Sequence, residues 1–382
     1  MNVLLLIALL PALISAYKDR ECGADLSNLW LDVVVVVDNS AGMTQDGLSQ
    51  VIGDVSTVLT NGTRIGTQYA DPRSTRVGIV TYNSDGTIAA NLDAFNSTDG
   101  LIGGMYDAIG IVSTQKLSYL ETGLSQAETV LNQGRRGVRK NYKQVVIVYA
   151  SAYQGTGAQD PVPAADRLKE SDVAIITVAF EQEGNTDLLE PLSQIASPGF
   201  NFTSKDVDLV GEIEGALLQT NCFCPDLWFQ YSADYNDLAA QRFGVCVKSA
   251  GLQASWTSAK FACQHFASNA FLVSEFSQQK HDFVFQLIKN DKTMTSPFMY
   301  HIGLSRINGV WSWQQPGGQT LPVQNYTNWN PGYPTDVSAD SAALNSPTGD
   351  DLVVGWQNIN PYTVAKNYVC ESRACDTDNY CP

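Results

Sequence analysis

The stretch Leu31-Asp32-Val33-Val34-Val35-Val36-Val37-Asp38 decides the fold of the first half of the chain. It is an almost unbroken β-branched run, and similar apolar runs occupy residues 76–82, 144–150 and 172–180. Runs that are apolar on both faces are typical of strands in a parallel sheet that helices cover on both sides. The apolar residues between the runs have helical spacing. This alternation predicts a doubly wound α/β domain over residues 25–221.

A short polar segment, Asp38-Asn39-Ser40-Ala41-Gly42, follows this first run. In doubly wound folds ligands bind at the carboxyl ends of the strands, so this segment is the first candidate site. With the order of strands and helices and the helix-like stretch 206–219, it resembles the von Willebrand factor A family, whose metal-ion-dependent adhesion site begins D-x-S-x-S. The resemblance implies a divalent cation held by carboxylate and hydroxyl oxygens, with one position open for a partner's carboxylate.

The match to this cation site is partial. Asp38 and Ser40 fit the motif, and Ser118 takes the position of the family's threonine, but Gly42 replaces the second serine. The family's T-D-G falls on Tyr149-Ala150-Ser151, so the second carboxylate is missing. Because even lost outer-shell contacts lower metal affinity about 10- to 100-fold, the expected role of Asp38 and Ser40 is to hydrogen-bond the loop. A bound Mg²⁺ or Mn²⁺ is the alternative at this site.

After residue 221 the composition shifts towards aromatic residues and Gly/Pro/Asn turns, which favours an α+β domain rich in loops. Its landmarks, in order, resemble those of a C-type lectin-like domain over residues 222–371. They are Cys224-Pro225-Asp226-Leu227-Trp228, residues 255–263, Ile302-Gly303-Leu304, Asn328-Trp329-Asn330-Pro331-Gly332 and Tyr368-Val369-Cys370-Glu371. A cysteine-containing tail, residues 372–382, follows this domain.

Calcium-dependent sugar binding in the lectin family uses an E-P-N or Q-P-D triplet and a later W-N-D, since Ca²⁺ needs several oxygen ligands. Here the triplets are Tyr333-Pro334-Thr335 and Trp356-Gln357-Asn358, and neither keeps its acidic residue. Aspartates 336, 340, 350 and 351 lie nearby and could rebuild a cation site, although carboxylates in such loops are usually solvated. We therefore expect the loop 314–350, with aromatic Tyr326 and the two triplets, to bind ligands without Ca²⁺.

The chain has eight cysteines, all after residue 16, an even number that predicts four disulfides in an oxidising compartment. The lectin resemblance implies a Cys263–Cys370 bridge and a Cys224–Cys246 bridge in the opening hairpin. Cys22–Cys222 would then close the first domain and Cys375–Cys381 would pair the tail. The sequence leaves the pairing of these last four cysteines open.

Residues 1–16 predict a signal peptide, because an apolar run at 3–10 precedes small residues that end at Ser15-Ala16. The expected location is therefore secreted and extracellular. No later segment reaches the ~20 apolar residues that a membrane helix needs, so we predict no membrane span. Secretion would make four N-x-[ST] sequons candidate glycosylation sites. They are Asn61, Asn96, Asn201 and Asn325.

Several function classes are disfavoured. The formal net charge is −16, and the 23 Lys and Arg residues are scattered, which argues against binding to nucleic acid. There is no H-E-x-x-H, G-x-S-x-G or phosphate loop, so we do not expect an enzyme.

The domain order, with the joint Asn221-Cys222-Phe223-Cys224-Pro225, is similar to a group of secreted nematode proteins. It predicts a recognition or adhesion protein whose partners are glycans or extracellular proteins. Binding of glycans or microbial surfaces without Ca²⁺, in innate defence, is the first hypothesis. Protein–protein adhesion in the extracellular matrix, with the lectin-like fold as a scaffold, is the second.

Overall fold

A computed structural model describes residues 17–60, 62–134, 142–181 and 188–381, without the side chains of residues 350–352. The predicted signal peptide, residues 1–16, and the sequon at Asn61 lie outside the described residues. The chain forms two compact units. Among the described residues, the first unit consists of 21–246 and 373–381, and the second unit of 17–20 and 247–372. The domain boundaries at 221 and 371 that we drew from the sequence remain predictions.

The first unit contains helices and strands in alternation. Its helices are α1 (Thr44–Thr60), α2 (Thr98–Ile109), α3 (Leu120–Gly134), α4 (Val162–Glu170), α5 (Leu189–Ile195) and α6 (Leu209–Thr220). Its strands are β1 (Leu31–Asp38), β2 (Arg76–Tyr82), β3 (Gly86–Ala90), β4 (Lys143–Ala150), β5 (Val173–Ala179), β6 (Asn201–Thr203) and β7 (Phe229–Ser232).

The first six strands form one sheet in the order β3-β2-β1-β4-β5-β6. The strand pairs are parallel except for β2 and β3, which are antiparallel. The predicted doubly wound α/β fold is therefore confirmed, and the four predicted apolar runs correspond to β1, β2, β4 and β5. The edge strands β3 and β6 were not predicted, because β3 is only partly buried and β6 has three residues.

Burial on both faces explains the unbroken valine run of β1. Val33, Val35 and Val37 lie in one apolar core with residues of α1, α2 and α6, whereas Val34 and Val36 lie in a second core with residues of α3, α4 and α5. Every residue of β1 is buried. The central strand consequently delivers its last residue, Asp38, to the carboxyl edge of the sheet.

The tail at residues 373–381 belongs to the first unit. The ring of Tyr380 lies 4.8 Å from that of Trp30, centroid to centroid, and Phe223 contacts the same indole at 5.3 Å. A carboxylate oxygen of Asp376 also accepts a hydrogen bond from the Gly23 backbone N–H at 3.1 Å. The tail therefore packs on a fully buried tryptophan at the start of β1.

The second unit is built around an antiparallel-rich sheet. Its helices are α7 (Trp256–Phe266) and α8 (Gln278–Asn290). Its strands are β8 (Arg242–Ser255, which begins in the first unit), β9 (Phe271–Leu272), β10 (Tyr300–Ile307), β11 (Val310–Gln314), β12 (Thr320–Pro322), β13 (Ala342–Thr348), β14 (Asp350–Ile359) and β15 (Ala365–Arg373). The strands β12-β11-β10-β15-β8 are neighbours in that order, and β13 pairs with both β10 and β14.

Helix α7 begins directly after Ser255, which is its N-cap residue. The hydroxyl of Ser255 accepts a hydrogen bond from the Ser258 backbone N–H, which satisfies one free donor of the first turn. Trp256, Ala259 and Cys263 form its buried face.

All eight cysteines are paired. The disulfides are Cys22–Cys222, Cys224–Cys246, Cys263–Cys370 and Cys375–Cys381. Cys263–Cys370 joins α7 to β15 in the second unit, and the other three lie in the first unit.

Candidate functional sites

The carboxyl edge of the first unit's sheet gathers Asp38 with three serines. Asp38 is fully buried at the end of β1. Its Oδ2 accepts hydrogen bonds from the hydroxyl of Ser118 at 2.8 Å and from the hydroxyl and backbone N–H of Ser151 at 2.6 and 3.1 Å. Its Oδ1 accepts from the backbone N–H of Ser40 at 2.8 Å. The structure thus brings Asp38, Ser40 and Ser118 together, and adds Ser151.

The contact of Ser151 with Asp38 was not predicted, because our alignment placed the aspartate of the family's T-D-G at Ala150. In the structure Ala150 is buried in the apolar core beneath α3 and α4, and the next residue, Ser151, contacts Asp38. Side chains alternate between the two faces along a strand, so a shift of one residue changes which of them reaches the site. The residue that faces Asp38 after β4 is therefore a hydroxyl where the family has a carboxylate.

The glycine at position 42 leaves room for the side chain of Ser151. A Cβ atom at position 42 would lie 2.9 Å from the Ser151 hydroxyl oxygen and 3.5 Å from that of Ser40. The first of these distances is too short for an ordinary contact, so the motif's second serine would require Ser151 to shift. The two departures from the family pattern are consequently linked in space.

These residues do not fit a resident divalent cation. Mg²⁺ and Ca²⁺ are bound by several oxygens, usually including more than one carboxylate. Asp38 is the single carboxylate of this cluster, and its oxygens already accept four hydrogen bonds. In the described part of the chain, no three or more His, Cys, Asp or Glu residues form a group that could hold a metal ion. The chemistry is that of a hydrogen-bonded carboxylate.

In the second unit, Thr335 and Asn358 are joined by hydrogen bonds. The Oδ1 of Asn358 accepts a hydrogen bond from the Thr335 backbone N–H at 2.8 Å. Its Nδ2 donates to the backbone oxygens of Thr335 at 3.1 Å and of Asp340 at 3.2 Å. Asn358 is buried, with 4% of its surface exposed. The loop is therefore closed onto β14 by a side-chain amide, and we call this contact the Thr335–Asn358 clamp.

The remaining residues of the two triplets differ in accessibility. Pro334 is exposed, and Tyr333 and Gln357 are half-buried. Trp356 is fully buried in the core. The prediction that Trp356 contacts a ligand is therefore wrong, because its ring packs against Trp313 and Trp329 at 5.3 and 5.6 Å between ring centroids.

A buried charged cluster lies next to Trp356 and was not predicted. Glu275, fully buried before α8, accepts hydrogen bonds from Trp356 Nε1 at 2.8 Å and Asn345 Nδ2 at 2.8 Å, and contacts His281 Nδ1 at 2.9 Å. Burial favours the neutral acid, but His281 and these hydrogen bonds outweigh it, so the pKa of Glu275 is lowered. Burial likewise disfavours charged His281, but Glu275 outweighs it, so the pKa of His281 is raised.

A cavity of about 300 Å³ opens within the second unit. Its walls include the aromatic side chains of Tyr17, Phe276, Trp313 and Tyr326 and the amides of Gln324 and Asn325, with Ser277 and Gln278 completing them. Residues 324–326 belong to the loop that we predicted to bind ligands. The cavity as a whole could not be read from the sequence, because its walls come from four separated segments.

The described sequons differ in environment. Asn96 and Asn325 are exposed, and Asn325 lines the cavity. Asn201 lies in β6, where its Nδ2 donates to the Leu189 backbone oxygen at 2.8 Å and its Oδ1 accepts from Thr177 at 2.6 Å. A glycan on Asn201 would replace one of the two hydrogens on this nitrogen, which leaves a single N–H to donate. Glycosylation at these sites remains a prediction.

Comparison with known families agrees with both folds. Residues 32–216 match the family described as von Willebrand factor type A domain, and residues 252–372 match the Lectin C-type domain. The chain is thus a von Willebrand factor A domain followed by a C-type lectin domain, as predicted. Both domains occur in lectin and adhesion proteins. In the described part of the chain, no helix combines the length and apolar character needed to cross a membrane.

One curated relative is C-type lectin domain-containing protein 160 of Caenorhabditis elegans, 29% identical over 381 residues. The match covers 95% of this chain and 56% of that protein, so the chain spans little more than half the relative's length.

Solved structures also resemble the chain. Proximal thread matrix protein 1 from the mussel byssus is 19% identical over 53% of this chain and 49% of its own, with a TM-score of 0.43. One structure of that mussel protein has a zinc-occupied MIDAS motif. Human lithostathine is 24% identical over 39% of this chain and 99% of its own, with a TM-score of 0.31.

Proposed function

We propose that this chain is a secreted recognition protein that binds glycans through its lectin domain without a divalent cation. The observation that carries the proposal is the Thr335–Asn358 clamp. In this segment the amide of Asn358 is fully engaged with Thr335 and Asp340. Neither triplet offers a carboxylate. A sugar bound at the two triplets is therefore held by protein groups alone.

The first domain supports the same conclusion. Asp38 is buried and satisfied by hydroxyl and backbone donors, which leaves no open metal position for a partner's carboxylate. Both family cation sites are thus replaced by hydrogen bonds between protein groups.

An extracellular location fits the four disulfides and the lectin-domain relative. Secretion by the signal peptide, with microbial surfaces as the target in innate defence, is the form of this function that we favour.

A second candidate function is protein adhesion through the first domain. The loop between α2 and α3 hydrogen-bonds residues 39 and 41 at the carboxyl edge of the sheet. Two apolar side chains of this loop are exposed, Ile111 by 84% and Leu117 by 45%. Exposed apolar groups at a ligand-binding edge favour contact with another protein.

The test is binding of the secreted, full-length protein to a glycan array and to whole microbes, in Ca²⁺ plus Mg²⁺ and again in EDTA. We expect the same glycan binding in both buffers. Binding that EDTA abolishes would contradict the metal-free mechanism. An absence of glycan binding in either buffer, with retention of binding to extracellular matrix proteins, would favour the adhesion function.

A further inference from the structure

We infer that the aromatic cavity of the second unit is the glycan-binding site and that it takes one neutral pyranose residue. The inference rests on the proposed function and adds to it a location and a ligand class. The cavity's volume of about 300 Å³ is at the lower end of the range for small-molecule sites, ~300–1,000 Å³. That size suits one sugar ring better than an oligosaccharide.

The lining matches the two kinds of surface on a sugar. A pyranose has apolar C–H faces, which pack on aromatic rings, and hydroxyl groups, which need hydrogen-bond partners. Tyr17, Phe276 and Tyr326 are half-buried, so their rings present surface to the cavity. Phe276 lies 6.0 Å from Tyr17 and 6.1 Å from Trp313, measured between ring centroids. The rings therefore form a continuous apolar wall.

Two amides are placed to bind hydroxyl groups. The Oε1 of Gln324 accepts from the backbone N–H of Tyr17 at 3.0 Å, and its amide nitrogen makes no hydrogen bond in the described part of the chain. The Asn325 side chain makes none there either. Gln278, in contrast, is already engaged with Tyr326 and Asp282. Gln324 consequently offers a donor at the mouth of the cavity, and Asn325 offers a donor and an acceptor in molecules whose Asn325 carries no glycan.

Among the described residues that line the cavity, none has a carboxylate, ammonium or guanidinium side chain. Cleavage after Ala16 would add the charged α-amino group of Tyr17, whose nitrogen lies 3.0 Å from Gln324 Oε1. A phosphorylated or carboxylated sugar would lose its hydration there without gaining a charged partner. The side chains of the walls therefore select a neutral sugar, and the charged comparators in the experiment below test whether the α-ammonium of Tyr17 changes that selection.

Buried charges hold one wall in place. Lys280 is fully buried and pairs with Glu371 at 2.8 Å and with Asp19, two residues after Tyr17. This ion pair fixes the segment that carries Tyr17. Trp313, another residue of the lining, packs on Trp356, whose indole N–H donates to Glu275. Because both walls are anchored, the cavity is formed before a ligand arrives, which lowers the entropy cost of binding.

The experiment measures binding of free monosaccharides to the full-length protein in EDTA, by saturation-transfer NMR and calorimetry. The probes are glucose, galactose, mannose, fucose and N-acetylglucosamine, with N-acetylneuraminic acid and glucose 6-phosphate as charged comparators. The decisive variant is Gln324→Leu, with Gln319→Leu as the matched control, because Gln319 is exposed outside the cavity. Phe276→Ala is a second variant, and thermal melting establishes that each is folded.

We expect one or more neutral sugars to bind, and the charged sugars not to bind. Gln324→Leu and Phe276→Ala should each weaken binding about tenfold, whereas Gln319→Leu should leave it unchanged. Preference for a charged sugar would overturn the ligand class, and cavity variants that bind normally would overturn the location. If glycans bind in EDTA but no free monosaccharide does, this inference fails while the proposed function stands. If the intact protein binds no glycan in any buffer, the proposed function itself fails.

Discussion

Asp38 in the first unit and Glu275 in the second are both fully buried carboxylates, but their partners differ in charge. Asp38 is surrounded by hydroxyl and backbone N–H groups. Glu275 contacts the imidazole of His281 as well as the neutral donors of Asn345 and Trp356. The first lies where the family's cation motif begins, and neutral groups donate to it. The second contacts a titratable imidazole.

This difference has an energetic consequence. The hydroxyl and backbone donors of Asp38 carry no titratable charge. A buried carboxylate that is held by a histidine loses an electrostatic partner when the histidine releases its proton. We therefore expect the two sites to respond differently to substitution and to pH.

The largest expected effect is that of Glu275→Gln. The change leaves His281 buried without its counter-charge and removes an acceptor from Trp356 or Asn345, which should lower the free energy of unfolding by about 3–5 kcal/mol. Urea denaturation of the full-length protein measures it. Asp336→Asn, at an exposed carboxylate of the same unit, is the control and should change little. A loss below about 1 kcal/mol for Glu275→Gln would show that the cluster contributes little.

Asp38→Asn should have a smaller effect, about 2 kcal/mol, because the substitution removes charged hydrogen bonds but leaves no opposite charge buried. The new amide nitrogen cannot accept hydrogen bonds from Ser118 and Ser151, although their hydroxyls can rotate. The same denaturation assay applies, with exposed Asp93→Asn as its control in the first unit. If Asp38→Asn were as costly as Glu275→Gln, the contrast between the two sites would be lost.

The smallest expected effect is that of pH. The raised pKa of His281 means that its contribution to stability is complete below its ordinary pKa of 6.5 and is lost as pH rises through the raised value. The lowered pKa of Glu275 means that its contribution is complete above 4.5 and is lost as pH falls through the lowered value. The Glu275–His281 pair should therefore stabilise the second unit most between pH 4.5 and pH 6.5.

Melting temperatures from pH 5 to pH 9 test this expectation. His281→Asn should remove part of the decline on the alkaline side. The same substitution at His301 is the control, because burial lowers the pKa of His301 to about 4. The His301 imidazole is therefore already neutral on the alkaline side. The interpretation is wrong if His281→Asn and the unsubstituted protein decline in parallel.

Sequence patterns were sufficient for the first fold because its strands are buried on both faces. The valine run of β1 and the three later runs each form a strand. The cluster at Asp38 was predicted in part: Ser118 was placed by a motif, whereas Ser151 was missed by a shift of one residue in a strand.

The buried cluster and the cavity of the second unit could not be predicted from the sequence. Glu275 is 6 residues from His281 but 70 from Asn345 and 81 from Trp356, so the pattern around it gives no sign of the cluster. The cavity is similar, since Tyr17 meets Phe276 and Gln324 only through the fold. Residues that touch across such separations have no local periodicity to reveal them.

The central claim is that hydrogen bonds between protein groups have replaced both cations, and thermal melting with and without divalent cations tests it most directly. The full-length protein is melted in EDTA and in excess Mg²⁺, Mn²⁺ or Ca²⁺, with Ser151→Asp as a variant that restores a second carboxylate beside Asp38. We expect no shift for the unsubstituted protein, and for Ser151→Asp a lower melting temperature in EDTA that Mg²⁺ or Mn²⁺ raises. A saturable rise of the unsubstituted protein's melting temperature with any of these cations would contradict the claim.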